Sequence, residues 1–450
     1  MEPKFSLLRM NDDELDSFLE EKLEEADIDL SEVEDIYPCA PIQEGIQLSK
    51  LVPSAPDYNV VATISIESVR DGDCVDLRLV RKAWQQVVDR HAILRTIFVE
   101  SVEYGRFSDQ IVLFHAMADV QELQSFGERI TALEFSERRP AHCFSLISKD
   151  RQSVHCRLEI DHTLTDGFSV AIIMRDLASA YTGQLPRTPA PKYSDYIAFL
   201  QRDSGEAHLQ YWTQLLAGAQ PCLFPTPSTL LSEQSSSIQV TVPVPNIRSS
   251  VLHAFCRKLN VTLFNVIQAA WAIVLQSYTQ SKDVSFGYVT SGRDLPIERV
   301  ESIMGPLINT LICRTQLRGS SQSLAELIKG IQTQYLAGTA HQTTSLGSVY
   351  DALGMRGRRL FNTAVFFRPL HLDSISNDTV RLSLIGRKSY TEFDLSVSLE
   401  RSDKVEISLC YSPRTFSHKS ITAIASTLSK VLQLLPKSAK IPVVIPQPLV

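Results

Sequence analysis

Between residues 159 and 170 the sequence reads EIDHTLTDGFSV, which sets the imidazole of His162 between two carboxylates, Asp161 and Asp166, with Gly167 next in line. Imidazole exchanges a proton more readily near neutral pH than any other side chain, so His162 is a candidate general base. Its sequence neighbour Asp161 does not by that fact form a dyad with it, because successive side chains on a strand point to opposite faces. Asp166 stands where it can cap a following helix. The spacing H-x-x-x-D-G also occurs by chance, and the alternative to catalysis is a core histidine bonded to a nearby carbonyl.

The flanking residues say how such a group would be held. SVHCRLEI, residues 153–160, alternates with apolar Val154, Cys156, Leu158 and Ile160 on one face, the pattern of a strand ending at Asp161. FSVAIIMRDLASAYTG, after Gly167, has helical periodicity and a glycine stop at Gly183. His162 is therefore expected on a loop from strand to helix, where rigid scaffolds present reactive groups. Upstream, NVVATISI (59–66) reads as a strand, and LRLVRKAWQQVVDRHAILRTIF (77–98) as an amphipathic helix running into another strand. Downstream the alternation restarts with a strand at 237–244, helices over 248–259 and the apolar stretch beyond it, and a strand at 283–290. The fold class is α/β, in two halves. A Pro-rich passage, 183–196, and a Ser/Pro/Gln-rich one, 225–237, bracket a helix containing YWTQLL and place the boundary between them.

Composition fits this picture. A chain of 450 residues, 44% hydrophobic and 21% charged, exceeds what one core usually organises. The net charge of −7 is uneven, since residues 11–35 hold thirteen Asp and Glu against the single Lys22. A body with no concentrated basic face argues against nucleic acid as a partner. Leu15, Phe18, Leu19, Leu23 and Ala26 in the acidic stretch have helical spacing, and it reads as a solvated helix leading into the first domain. Eight cysteines stand singly, with no C-x-x-C pair, and read as reduced thiols of a cytoplasmic protein without a zinc site. The start, MEPKFSLLRM, lacks a signal-peptide core. The uncharged run 260–281 contains Asn265, Gln268 and Gln276, which suits a buried core helix better than a membrane span. No metal or permanently bound cofactor is implied, and no G-x-S-x-G nucleophile elbow is present.

Six segments occur in the same order as in one family: VEDIYPCAPIQEGI (33–46), RHAILRTIF (90–98), DHTLTDGFS (161–169), YSDYIAFL (193–200), VSFGYVTSGRD (284–294) and IMGPLINTLICR (303–314). Together, over about residues 33–440, they resemble the condensation domains of non-ribosomal peptide synthetases. The resemblance implies two halves similar to chloramphenicol acetyltransferase, set as a V-shaped pseudo-dimer with an active-site tunnel between them. The organisation expected is an acidic leader over 1–32, an N-terminal subdomain over 33–205 and a C-terminal subdomain over 206–450. Carrier proteins would deliver phosphopantetheine thioesters from opposite faces. The family pattern is His-His-x-x-x-Asp-Gly; here Asp161 takes the first position and His162 falls on the histidine the family relies on. That departure suggests the terminal condensation-like domains of fungal synthetases, in which the first position often varies.

By the same resemblance Asp166 is the structural aspartate, paired with an arginine from the second half, for which Arg293 in SGRD is the candidate. The N–H of Gly167 is placed to stabilise an oxyanion. Ser291, Asn309 and Thr310 would reach the tunnel from the second half, with turn and strand-end hydrogen bonding as the alternative. Tyr37, Pro38, Gln43 and Gly45 are expected to be structural, and Arg90, His91 and Arg95 to belong to the scaffold. FNTAVFFRP, 361–369, resembles the strand region that crosses between the halves.

The activity so implied is attack of an amine on a peptidyl thioester, with His162 accepting or positioning its proton. Holding two reactants in line is worth up to roughly 7–11 kcal/mol. The acidic leader resembles a linker that follows a carrier domain, and the sequence ends without an adenylation domain. The expectation is therefore macrocyclisation and release of the peptide, by a monomer whose partner is the peptidyl carrier (thiolation) domain of the same synthetase, with no membrane involved. Three alternatives stay open: intermolecular condensation between two carriers, an inactive carrier-docking module, and a free-standing acyltransferase using acyl-CoA and an alcohol.

Overall fold

In a computed structural model of the chain, the residues described are 5–51, 58–70, 72–103, 106–125, 139–150, 152–202, 205–224, 240–369, 374–388, 393–401, 405–413 and 415–437. They form two compact units. The first comprises Met1–Asp203, Ser291–Ile308 and Leu372–Tyr390; the second comprises Ser204–Thr290, Asn309–His371 and Thr391–Val450.

This differs from a contiguous second half over 206–450. Two segments late in the sequence belong to the first unit because their apolar residues have their partners there. Val300, Ile303, Met304 and Leu307 are buried in its core, and Val380–Lys388 adds a strand to its sheet. Arg293 is thus a residue of the first unit. The segment expected to cross, 361–369, instead supplies the strand Thr363–Pro369 to the second sheet, and the excursion follows it. The Ser/Pro/Gln-rich passage 225–237 lies outside the described residues, and the strand expected over 237–244 is observed as Val240–Pro243.

In the first unit a six-stranded sheet runs in the order Ser374–Ser376, Val380–Lys388, Asn59–Ser68, Ser153–Asp161, His142–Ser148, Val120–Glu122. The strand leading to His162 is therefore internal, hydrogen-bonded on both sides, which fixes where it ends. Helices Leu77–Arg90 and Ser169–Tyr181 cover one face. The first has Val80, Ala83, Trp84, Val87 and Val88 buried at helical spacing, and Asp76 caps it by accepting from the Arg78 N–H at 2.7 Å. Trp84 stacks on Phe144 at 4.6 Å between ring centroids.

A three-stranded sheet, Val33–Pro38, Ser108–Leu113, Thr96–Glu100, carries the leader. The helix Asp12–Ala26 begins with a capping box between Asn11 and Glu14. It is more than a solvated lead-in. Phe18, Leu23 and Ala26 are buried against Val33, Ile36, Ile97, Val99 and Ile111, so only its acidic face is in water.

The second unit has its own six-stranded sheet, in the order Asn309–Gln316, Asp283–Thr290, Thr363–Pro369, Leu395–Arg401, Val405–Tyr411, Val240–Pro243. Its central helix, Leu263–Thr279, is mostly apolar because it is buried on nearly every side, and Trp271 finds a partner for its Nε1–H in Thr363 Oγ1 at 3.2 Å. Among the described residues no single helix is long and apolar enough to cross a membrane.

Candidate active site

The strand Ser153–Asp161 ends because the chain turns at once: the Leu164 N–H donates to the Asp161 carbonyl at 3.0 Å. The Asp161 side chain holds that turn. Its Oδ1 accepts from the Thr163 N–H at 2.9 Å, from the Thr163 hydroxyl, and from Lys50 Nζ at 3.1 Å. The carboxylate is fully buried, and Oδ2 has no hydrogen-bond partner among the described residues. Asp161 is thus tied to the backbone on the far side of His162 and to a lysine, and makes no hydrogen bond to the imidazole.

His162 is half-buried, its backbone N–H donating to the Tyr58 carbonyl at 2.8 Å. Nδ1 is its buried ring nitrogen, with no hydrogen-bond partner on any described residue, so Nε2 is the ring nitrogen on the open side. Burial pulls the ring's pKa below the ordinary imidazole value. Its own backbone and the fields of Asp166 and Asp161 oppose that shift, and Arg387 adds to it. The ring is therefore neutral near pH 7, the form that accepts a proton.

Asp166, four residues on, is a structural hub. It is fully buried. Oδ1 accepts from the Phe168 N–H at 3.0 Å, the Ser169 N–H at 2.8 Å, the Ser169 hydroxyl at 2.8 Å and Arg293 Nη2 at 3.0 Å. Oδ2 accepts from Arg293 Nη2 at 2.9 Å and the Leu307 N–H at 3.2 Å. Arg293 also donates to the carbonyls of Val300, Ile303 and Gly305 and lies over the Phe168 ring, 5.6 Å from its centroid. With its acceptor sites filled, Asp166 cannot serve as a base; it locks the 166–169 turn to the 291–308 segment. Gly305 completes the joint. Its φ of +131° lies in the region that favours glycine, and a Cβ there would sit 2.4 Å from Cδ2 of Tyr193.

The first unit thus brings Asp161, His162, Asp166, Gly167, Ser291 and Arg293 together, with Ser291 Oγ accepting from the Arg293 N–H at 3.3 Å. Asn309 and Thr310 belong to the second unit. There the Asn309 amide donates to the Gln342 and Thr344 carbonyls, both at 2.7 Å, and its Oδ1 accepts from the Thr310 N–H. Of the residues that support the turn, Gln43 was expected to be structural and others escaped the sequence reading. Gln43 is buried and donates to the Thr163 carbonyl at 2.8 Å, so the segment 33–46 props the His162 turn from below. Lys50, Thr163 and Arg387 carried no signal, whereas Ser169, three residues after Asp166, had the spacing of a capping partner. Arg90 and His91 both bond buried Asp176, and Arg95 bonds Glu34 at 2.7 Å, all in the scaffold. No group of three or more metal-ligating side chains occurs among the described residues, and the eight cysteines are free thiols.

Comparison with known proteins gives a consistent result. Residues 33–442 match the family described as Condensation domain. The nonribosomal peptide synthetase atnA of Emericella nidulans is 33% identical over 98% of this chain, and nonribosomal peptide synthetase 4 of Gibberella zeae is 35% identical over 89% of it. The chain spans only 6% and 5% of the lengths of those curated relatives. The X-domain from teicoplanin biosynthesis superposes with a TM-score of 0.76 over 90% of this chain and 96% of its own, at 19% identity, a likeness of fold.

Proposed function

This chain belongs to the condensation-domain family, and from that premise we propose that it is the terminal condensation-like domain of a fungal non-ribosomal peptide synthetase, which cyclises and releases a carrier-bound peptide. The substrate is a linear peptidyl thioester on the phosphopantetheine arm of the adjoining carrier domain, and the nucleophile is an amine at the far end of the same peptide. The observation that carries the chemistry is the division of labour around residues 161–167. Both carboxylates are engaged in holding the backbone, so the neutral imidazole of His162 is the group left to move a proton.

As the amine attacks the thioester carbon, Nε2 of His162 accepts its proton. When the tetrahedral intermediate collapses, that proton passes to the departing thiolate. Orientation supplies most of the rate, and general-base catalysis adds about 10²–10⁴-fold. Asp161 in place of a first histidine supports the terminal subgroup, and the free thiols fit a reducing cytoplasm.

The test is mass spectrometry of a peptide loaded as its thioester on the adjoining carrier, with this protein and with His162→Ala. A product one water lighter than the hydrolysed peptide, made only when His162 is present, supports cyclisation. Transfer to an aminoacyl carrier supplied in trans would replace it with intermolecular condensation. An untouched thioester with the carrier still bound would make the protein a docking module.

A further inference from the structure

Within the first unit, Val380–Lys388 pairs with Asn59–Ser68, and the pairing slips. Val380 to Leu384 sit opposite Ser68 to Ile64; the register then shifts at Ile385, and Gly386, Arg387 and Lys388 resume opposite Thr63, Ala62 and Val61. In an unbroken register Arg387 would oppose Val61 and share its side of the sheet. With the extra residue it opposes Ala62, and every side chain beyond the slip changes face. Ala62 and its next neighbour Leu158 are fully buried, on the side covered by the helix Ser169–Tyr181. The bulge therefore aims Arg387 at the place where that helix starts.

There the guanidinium comes to rest on Gly167. A Cβ on Gly167 would lie 3.1 Å from Arg387 Nη2 and 3.6 Å from Nη1, so the cation lies directly against the backbone that follows Asp166. An arginine serving only solubility needs no register slip to turn it to this face.

We propose that Arg387 contacts the reacting carbonyl and is the cation that stabilises the tetrahedral oxyanion. This rests on the condensation reading above. As the N–C bond forms, the carbonyl π pair moves onto oxygen beside the guanidinium, and the amine proton goes to His162. When the C–S bond breaks, the pair returns to re-form C=O and the proton goes to the thiolate sulfur. A fixed donor at such a position is worth about 10²–10³-fold in turnover. The charged groups around the His162 ring are Asp166 and Asp161, which favour its protonation, and Arg387, which opposes it; Lys50 and Arg293 each bond one of the carboxylates.

The experiment compares wild type, Arg387→Gln and Arg387→Lys in single-turnover assays on the loaded carrier, across pH, with thermal melts as the control for folding. Arg387→Gln is expected to melt like wild type, lose about 10²–10³-fold in kcat with KM within about threefold, and show its acid limb at higher pH. Arg387→Lys should recover part of the rate. Turnover of Arg387→Gln within about threefold of wild type, with the acid limb unmoved, would overturn the assignment and leave the parent reading standing. A wild-type protein that leaves every thioester intact refutes the parent reading and this one with it.

Discussion

Replacing Asp166 by alanine tests whether the second carboxylate of the motif is a strut or a reagent. The change strips Arg293, whose side chain is 7% exposed, of its one carboxylate partner among the described residues. Breaking a buried pair from one side costs about 3–5 kcal/mol, and the three carbonyls that Arg293 keeps place this case at the low end. The amides of Phe168 and Ser169 at the start of the following helix lose their acceptor as well, worth about 1 kcal/mol more. A loss of about 4 kcal/mol in a unit of this size lowers its melting temperature by roughly 8–16 °C. Arg293→Ala should cost less, because four donors still reach the carboxylate. The double variant should be more stable than the sum of the singles implies, by about 1–3 kcal/mol of coupling. Urea titration and thermal melts of the four proteins measure this directly, and turnover is then read well below each midpoint. If Asp166→Ala melts within about 2 °C of wild type while turnover disappears, Asp166 takes part in the chemistry and the structural account is wrong.

Other outcomes follow from the same geometry. Because burial disfavours the charged ring of His162, the acid limb of the pH–rate profile should lie below the ordinary imidazole value of 6.5, and an acid limb above 7 would contradict it. Asp161→Asn keeps an acceptor for the Thr163 N–H but removes a charge that favours the protonated ring, so the acid limb should move to lower pH, and a limb that moves up would contradict the account. Gly305→Ala should destabilise the first unit by at least about 3 kcal/mol, since it meets both a positive φ and the Tyr193 ring; denaturant midpoints decide. Stability should also fall with acid in two windows. His91, His142 and His162 have pKa values lowered by burial, so the unfolded chain binds protons first and stability declines as pH drops through 6.5; Asp176, held at about 2, adds a second loss below its ordinary 3.8. A flat melting temperature from pH 7.5 to 5 would refute the first of these.

The strand before His162 and the helix after it were legible because their patterns are local: period two over 153–160, then helical period and a glycine stop. The Asp166–Arg293 pair was legible only through the family resemblance, since 127 residues separate its members. What stayed hidden depends on register and on long returns of the chain. Nothing in a sequence marks Ile385 as the extra residue that turns Arg387 to the other face, and nothing ties Lys50 to Asp161 across 111 positions. The leader was misjudged for a simpler reason. Its charge dominates its composition, while its buried face depends on a few residues such as Phe18 and Leu23.

The way residues 291–308 and 372–390 return to the first unit also governs when that unit is complete during synthesis. Everything up to residue 203 can leave the ribosome and still lack Arg293, which anchors the turn at Asp166, and the strand that carries Arg387. At about 5–20 residues per second, the stretch from there to Lys388 takes roughly 10–40 s. Until Arg293 emerges the Asp166 carboxylate lacks that counter-charge, and until Lys388 emerges one edge of the strand Asn59–Ser68 has no partner. A chain cut short before Arg293 would lack the lock on the Asp166 turn, and one cut anywhere before the strand Val380–Lys388 would leave an open strand edge in the first unit.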